Sequence, residues 1–120
     1  MRVLVACASF KGTLSSRAAG KAIARGLARA GVEAQIVVLA DGGEGLVEAL
    51  VSQQNHAHCV ETSVRGPMST PVMARWGLLG PIKNATAVLE MAASSGLSLV
   101  SELQRDPKVT STLGVGDQIR

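Results

Sequence analysis

Aromatic side chains are almost missing from this sequence. Phe10 and Trp76 are the only aromatic residues among 120, and tyrosine is absent. The hydrophobic fraction is nevertheless 47%, so a core must be built from Val, Leu, Ile, Ala and Met. Such a composition suits buried parallel strands and helices that pack through small residues. The length limits the chain to one domain or part of one.

Cysteine is also scarce, and the two thiols are far apart in the sequence. Cys7 and Cys59 match no metal-ligand spacing. Both lie in apolar runs, so we predict buried thiols in a reducing compartment. No apolar run is long enough to span a membrane, and no signal peptide is visible. We therefore expect a cytoplasmic protein without a membrane partner.

The excess of charge of one sign is small, with a formal net charge of +3. Four basic residues recur every fourth position and would form one stripe on a helix: Arg17, Lys21, Arg25 and Arg29. A nucleic-acid footprint is one interpretation of this stripe. Because no aromatic residues interleave with it, we favour a solvated helix face and predict no nucleic-acid partner.

The first part of the sequence predicts a strand–helix–strand unit. Residues 3–6 form a short apolar run typical of a buried strand, and residues 34–39 form a second one. Ser15 is a good N-cap for the helix between them, and Gly31 ends it. The predicted inward face of this helix repeats at three- and four-residue spacing: Ala19, Ala22, Ile23, Gly26, Leu27 and Ala30.

Shorter elements follow in the rest of the sequence. The patterns predict a helix over residues 46–53, antiparallel strands over 59–64 and 71–79, a strand over 85–91, a small-residue turn over 92–96 and a new helix after residue 112. Because that last helix has barely begun at Arg120, we expect an amino-terminal fragment of a longer protein.

These elements predict an α/β fold. We expect a Rossmann- or flavodoxin-like, mainly parallel sheet with flanking helices in residues 1–65. Residues 66–120 are expected to begin a second, incomplete α/β domain.

A glycine-rich turn over residues 40–45 follows the second predicted strand, where open α/β sheets place their ligands. Gly42 and Gly43 would let the backbone approach a ligand closely. Asp41 and Glu44 could bind Mg²⁺ or accept the proton of a hydroxyl nucleophile. A tight turn with a helix-capping acid is the alternative interpretation.

A second polar turn follows the first predicted strand. Lys11 lies there beside Ser9 and Gly12, where a lysine can meet an anionic substrate group. The spacing differs from that of a phosphate-binding P-loop. An exposed loop lysine is the alternative interpretation.

Two further polar segments complete the candidate site. Glu90 follows an apolar strand and precedes a small-residue segment that contains Ser95, and an acid in that position is unusual unless paired or functional. Thr112, Gly114 and Gly116 could offer hydroxyl and amide donors to a carboxylate or phosphate. The alternative for this last segment is an ordinary helix N-cap region. A sheet that brings these turns to one edge predicts a site for a phosphate or a small acid.

At this point the sequence resembles the bacterial glycerate kinase family over nearly all its residues. The resemblance rests on five motifs in order: Ser-Phe-Lys-Gly-Thr-Leu-Ser at 9–15, Leu-Ala-Asp-Gly-Gly-Glu-Gly at 39–45, Gly-Pro at 66–67, Leu-Glu-Met-Ala at 89–92 with Ser-Gly-Leu at 95–97, and Thr-Ser-Thr-Leu-Gly-Val-Gly-Asp at 110–117. It implies an ATP- and Mg²⁺-dependent kinase that phosphorylates a hydroxyl of glycerate. It also implies two α/β domains in a much longer chain.

The resemblance assigns roles to the candidate residues. Lys11, Asp41 and Glu44 would be catalytic, with the two carboxylates also serving Mg²⁺. The substrate and phosphate would contact Ser9, Gly12, Gly42, Gly43, Glu90, Ser95, Thr112, Gly114 and Gly116.

The sequence departs from the family pattern at several positions. Ala8 stands where the family usually has Asp, and Leu46 stands where it commonly has Thr. Leu113 and Asp117 replace Tyr and Glu. These departures motivate a second hypothesis, a non-catalytic module that binds a small acid or a nucleotide. We expect the isolated chain to be inactive and marginally stable.

Overall fold

The computed structural model describes residues 1–10 and 12–120. Within them the chain forms five strands, namely β1 (Arg2–Cys7), β2 (Glu33–Val38), β3 (Ala57–Arg65), β4 (Pro71–Leu79) and β5 (Thr86–Leu89). Four α-helices accompany them, namely α1 (Ser16–Arg29), α2 (Leu46–Val51), α3 (Met91–Ser95) and α4 (Leu113–Ile119). Three single 3₁₀ turns lie at Ile82–Asn84, Leu97–Leu99 and Glu102–Gln104. No helix in the described part of the chain is long and apolar enough to cross a membrane.

The predicted strand–helix–strand unit is confirmed. β1 and β2 pair in parallel, from Arg2 opposite Glu33 to Cys7 opposite Val38. The Ser15 hydroxyl accepts the N–H of Ala18 at 3.2 Å and caps α1, as predicted. Gly31 follows the end of α1 with a φ of 71°, a conformation that glycine adopts without strain.

The second sheet corrects the prediction of a mainly parallel fold. β3, β4 and β5 pair antiparallel in that order, so three of the five described strands are antiparallel. The connections over residues 66–70 and 80–85 are too short for the crossover that parallel neighbours need. The fold is therefore a mixed α/β arrangement of a small parallel sheet and an antiparallel sheet. The division into residues 1–65 and 66–120 stays a prediction.

The inward face of α1 is shorter than predicted. Ala19 and Gly20 are buried, whereas Ala22, Ile23 and Gly26 are exposed. Leu27, further along the predicted inward face, is half-buried, so the second half of α1 is only partly covered. Gly20 allows close packing, because a Cβ there would lie 2.7 Å from a methyl group of Ile36.

The prediction of two buried thiols is wrong. Cys7 is half-buried and Cys59 is exposed. In β3, residue 59 shares the outward face of the pleat with Glu61 and Ser63, which are also exposed. The alternation of the strand therefore outweighs the apolar character of its neighbours.

The segment after β5 also differs from its prediction. The strand ends at Leu89, not at Met91, and the expected turn over residues 92–96 is the short helix α3. Small residues such as Ala92 and Ala93 carry no hydrophobic period, so the pattern did not indicate a helix.

A bidentate ion pair fastens α4 to the end of β3. The Arg65 guanidinium donates to both carboxylate oxygens of Asp117 at 2.7 and 2.6 Å. The Arg65 backbone N–H donates to the same carboxylate at 3.2 Å. These bonds hold the pKa of Asp117 at about 2, below its ordinary value of 3.8.

Acid should therefore loosen α4. A carboxyl whose pKa is lowered by folding stabilises the folded state fully above its ordinary pKa and loses that contribution as the pH falls through its folded pKa. We expect the Arg65 side-chain N–H resonances to change between pH 4 and pH 2 with the titration of Asp117. Asp117→Asn should abolish this transition. An unchanged Arg65 spectrum down to pH 2 would contradict the expectation.

The described chain is a flat slab. Its principal extents are 52 × 43 × 17 Å, and its radius of gyration is 16.9 Å. A shape only 17 Å thick leaves little interior volume relative to its surface. Several large apolar side chains therefore remain exposed, including Leu4 at 63% and Met73 at 61%.

Candidate functional site

A cleft of about 630 Å³ lies at the carboxyl ends of β1 and β2. Its walls come from the turn after β1 with the start of α1, the segment from β2 into α2, the β3–β4 hairpin and the segment after β5. The parallel pairing of β1 and β2 brings their following turns to the same edge, as predicted for an α/β sheet. This cleft is our candidate site.

The predicted site residues divide between this cleft and a second cavity. Ser9, Gly12, Glu44 and Glu90 line the cleft. Ser95 and Thr112 instead line a separate cavity of about 280 Å³. The remaining predicted residues are not among those that line either cavity: Asp41, Gly42, Gly43, Gly114 and Gly116. The structure thus brings three of the four predicted polar turns to the cleft, namely those that follow β1, β2 and β5. Lys11 lies outside the described residues, and its assignment stays a prediction.

The glycine-rich turn has the local geometry of a capped turn. The Gly43 N–H donates to Oδ1 of Asp41 at 3.4 Å. Gly42 and Gly45 have φ values of 92° and 94°, which side-chain-bearing residues rarely adopt. The interpretation of Asp41 as a turn-stabilising acid therefore has direct support. Glu44 projects from the same turn at the cleft.

Glu90 connects the end of β5 to this turn. Its side chain is buried, and its two oxygens accept the N–H groups of Gly45 at 3.1 Å and Val47 at 3.2 Å. We predicted that an acid at this position would be paired or functional, and the structure shows that its carboxylate is paired. Its partners are the backbone N–H groups of the N-cap of α2 and of its second residue.

Ser16 is a positioning residue that sequence reasoning missed. Its buried hydroxyl donates to the Cys7 carbonyl at 2.5 Å and accepts the Leu39 N–H at 3.3 Å. It thus joins the two segments that follow β1 and β2 in the chain. The sequence drew attention to Ser15 as the cap, and nothing in the pattern distinguished its neighbour.

Two ion pairs on the cleft walls were also missed. Arg17 of α1 and Glu48 of α2 lie 2.6 Å apart, and Arg75 of β4 lies 3.1 Å from Glu61 of β3. The hydrogen bond that the Arg75 guanidinium donates to the Glu61 carboxylate raises the pKa of Arg75. Residues 61 and 75 are directly opposite in the antiparallel register, so the predicted hairpin contained a signal for this pair. The Arg17–Glu48 pair had no such signal.

The start of α4 is packed against the hairpin. A Cβ on Gly114 would lie 1.9 Å from the Arg65 carbonyl oxygen, so only glycine fits this approach. The Ser111 N–H donates to the Pro67 carbonyl at 3.0 Å, and the Ser111 hydroxyl accepts the Leu113 N–H at 3.1 Å. This segment is the N-terminal region of α4, with Thr112 at the N-cap position but without a side-chain capping bond from it.

The glycine-rich turn carries two carboxylates, Asp41 and Glu44. No group of three His, Cys, Asp or Glu side chains that could hold a metal ion occurs in residues 1–10 and 12–120. Mg²⁺ commonly takes one or two carboxylates and completes its shell with phosphate oxygens and water. Glu44, at the cleft, and Asp41, in the same turn, are carboxylates of the kind it uses.

The fold and the cleft define an α/β chain whose candidate ligand-binding turns follow strand ends. Residues 3–120 match the model of the glycerate kinase family. The chain therefore belongs to the glycerate kinase family.

Individual relatives agree with this assignment. The chain is 42% identical to the glycerate kinase of Bacillus subtilis (strain 168) and 41% identical to the glycerate 2-kinase of Escherichia coli (strain K12), with 99% of this chain aligned in each case. Its fold superposes with a TM-score of 0.70 on the crystal structure of a protein named glycerate kinase 2 from Salmonella typhimurium LT2, at 38% identity and over all of this chain. The chain spans 31% of the length of the first two relatives and 32% of the third.

Proposed function

We propose that the protein to which this chain belongs transfers a phosphoryl group from ATP to a hydroxyl of glycerate. The observation that carries the proposal is the match of residues 3–120 to the glycerate kinase family. The cleft is consistent with it, since about 630 Å³ is within the usual range of small-ligand sites. Glycerate is the proposed small-molecule substrate and ATP the proposed phosphoryl donor.

Phosphoryl transfer requires positioning and charge neutralisation more than covalent chemistry by the protein. We assign charge neutralisation to Lys11, whose neighbours Ser9 and Gly12 line the cleft. Glu44 would accept a hydrogen bond from the nucleophilic hydroxyl, and Asp41 would hold the turn that carries Glu44. The backbone of Gly42 and Gly43 would let the phosphate approach closely.

Asp41 and Glu44 are the residues proposed to hold Mg²⁺. The ion would neutralise the charge that develops on the phosphate oxygens. A pair of carboxylates is compatible with this assignment, because Mg²⁺ retains several non-protein ligands.

The second cavity holds two further residues that we propose as ligand contacts. Ser95 and Thr112 line it and are proposed to donate to the glycerate carboxylate or to the transferring phosphoryl group. Gly114 and Gly116 would contribute through their backbone amides. We also propose that residues 1–65 belong to a Rossmann-like domain, that residues 66–120 begin a second α/β domain, and that the protein acts in the cytoplasm.

One position favours a second candidate function. Ala8 is exposed and precedes Ser9, which lines the cleft. By the resemblance, this is where the family usually carries a carboxylate. If that acid is needed for transfer, the fold would serve as a non-catalytic module that binds a small acid or a nucleotide.

A coupled assay distinguishes the two candidates. The natural-length protein should release ADP from ATP and Mg²⁺ only when glycerate is present. Calorimetric binding of glycerate or ATP without any ADP release would support the binding module. Ala8→Asp should then raise turnover if the missing carboxylate is the reason for inactivity.

A further inference from the structure

We propose that Glu90 is a positioning residue that acts on the reaction through the glycine-rich turn, not by contacting substrate or phosphate. This inference rests on the proposed function. Of the acidic residues that the structure describes, Glu90 alone is buried, with 8% of its surface exposed. It lies immediately after β5 and before α3, so its backbone is fixed from both sides.

Both carboxylate oxygens of Glu90 accept hydrogen bonds from backbone N–H groups at the start of α2. Oε1 accepts the Gly45 N–H at 3.1 Å, and Oε2 accepts the Val47 N–H at 3.2 Å. The first N–H groups of a helix have no acceptor within the helix. Gly45 is the N-cap of α2 and has no side chain with which to supply one. Glu90, more than forty residues away in sequence, therefore performs the capping.

These two hydrogen bonds limit the roles that the Glu90 carboxylate can have in the reaction. Bonds to an ionised acceptor are stronger than neutral ones, so the two N–H groups hold the carboxylate firmly. A buried negative charge with both oxygens engaged would repel a phosphate or a substrate carboxylate rather than bind it. Glu90 itself lines the cleft, but because both of its oxygens are engaged, its effect on the reaction is transmitted through Gly45 to the neighbouring Glu44.

Glu90→Gln tests the inference, because glutamine keeps the size of the side chain but offers one oxygen acceptor where two are needed. Amide hydrogen exchange at Gly45 and Val47 should accelerate by about tenfold or more. In the natural-length protein, kcat with glycerate should fall by about tenfold or more while KM changes by less than about threefold. Glu102→Gln is the matched control, since the Glu102 side chain is 88% exposed and lies outside the cleft, and it should change none of these quantities.

A double-mutant cycle separates positioning from a general loss of stability. If Glu90 acts through Glu44, the double variant Glu44→Gln, Glu90→Gln should lose no more kcat than Glu44→Gln alone. Losses that multiply would overturn the proposal, as would unchanged exchange at Gly45 and Val47. Should Glu90→Gln fail to fold, Glu90→Asp keeps the charge with a shorter reach, and its exchange rates decide the same question. Absence of kinase activity in the unsubstituted protein would refute the proposed function, whereas amide exchange would still test the anchoring by Glu90.

Discussion

Gly114→Ala should destabilise the protein by about 2–4 kcal/mol, because it forces overpacking against the backbone. The added Cβ would lie 1.9 Å from the Arg65 carbonyl oxygen and 3.2 Å from the Cβ of Ser94. Arg65 is the last residue of β3 and is paired with Pro71, so its carbonyl cannot move without disturbing the hairpin. The helix α4 would have to withdraw, which would also weaken the contact between Arg65 and Asp117.

Gly116→Ala is the matched control for this prediction. It lies in the same helix, and nothing is within 4 Å of the position of its Cβ. Alanine is a better helix former than glycine, so this variant should gain up to about 1 kcal/mol. Urea unfolding of both variants measures the difference. Equal stability of the two would show that α4 does not pack against Arg65 as described.

Lys11→Ala should lower kcat/KM for glycerate phosphorylation by about 100-fold or more. The prediction rests on the sequence position of Lys11, between Phe10 and Gly12, both of which line the cleft. A lysine ammonium placed there would neutralise charge on the phosphoryl group as it is transferred. Alanine would remove that charge without a replacement.

Steady-state assays of the natural-length protein measure this effect. Lys21→Ala provides the control, since it removes the same charge from an exposed position on α1 outside the cleft. We expect its activity to match that of the unsubstituted protein. Wild-type turnover by Lys11→Ala would eliminate the role assigned to Lys11.

Elements with a clear period were predictable from the sequence. β4 was predicted with its observed bounds, Pro71–Leu79, and its antiparallel pairing with β3 was predicted as well. The N-cap of α1 at Ser15 was predictable because a serine hydroxyl can accept a backbone N–H at the start of a helix. The short helix α3 was not predictable by the same means. Its alanine and serine residues do not place large apolar side chains at either helical or strand spacing.

The sequence predicted the cleft only as the place where several polar turns meet, without its other walls. Parallel pairing of β1 and β2 was enough to bring Ser9 and Glu44 to one cavity. The separation of Ser95 and Thr112 into a second cavity depends on where α3 and α4 pack, which local sequence does not encode. The contacts of Glu90 with Gly45 and Val47 likewise join residues more than forty positions apart, and no periodic pattern specifies such a pair.

The flat shape of the chain has a hydrodynamic consequence. A compact protein of 120 residues has a radius of gyration of about 14 Å, whereas the slab has 16.9 Å. The larger value corresponds to a compact globule of roughly 210 residues. On a gel-filtration column calibrated with spherical standards, a single copy would therefore elute ahead of its mass of 12.3 kDa. Elution position alone would mimic a dimer, and light scattering is the measurement that assigns the number of copies.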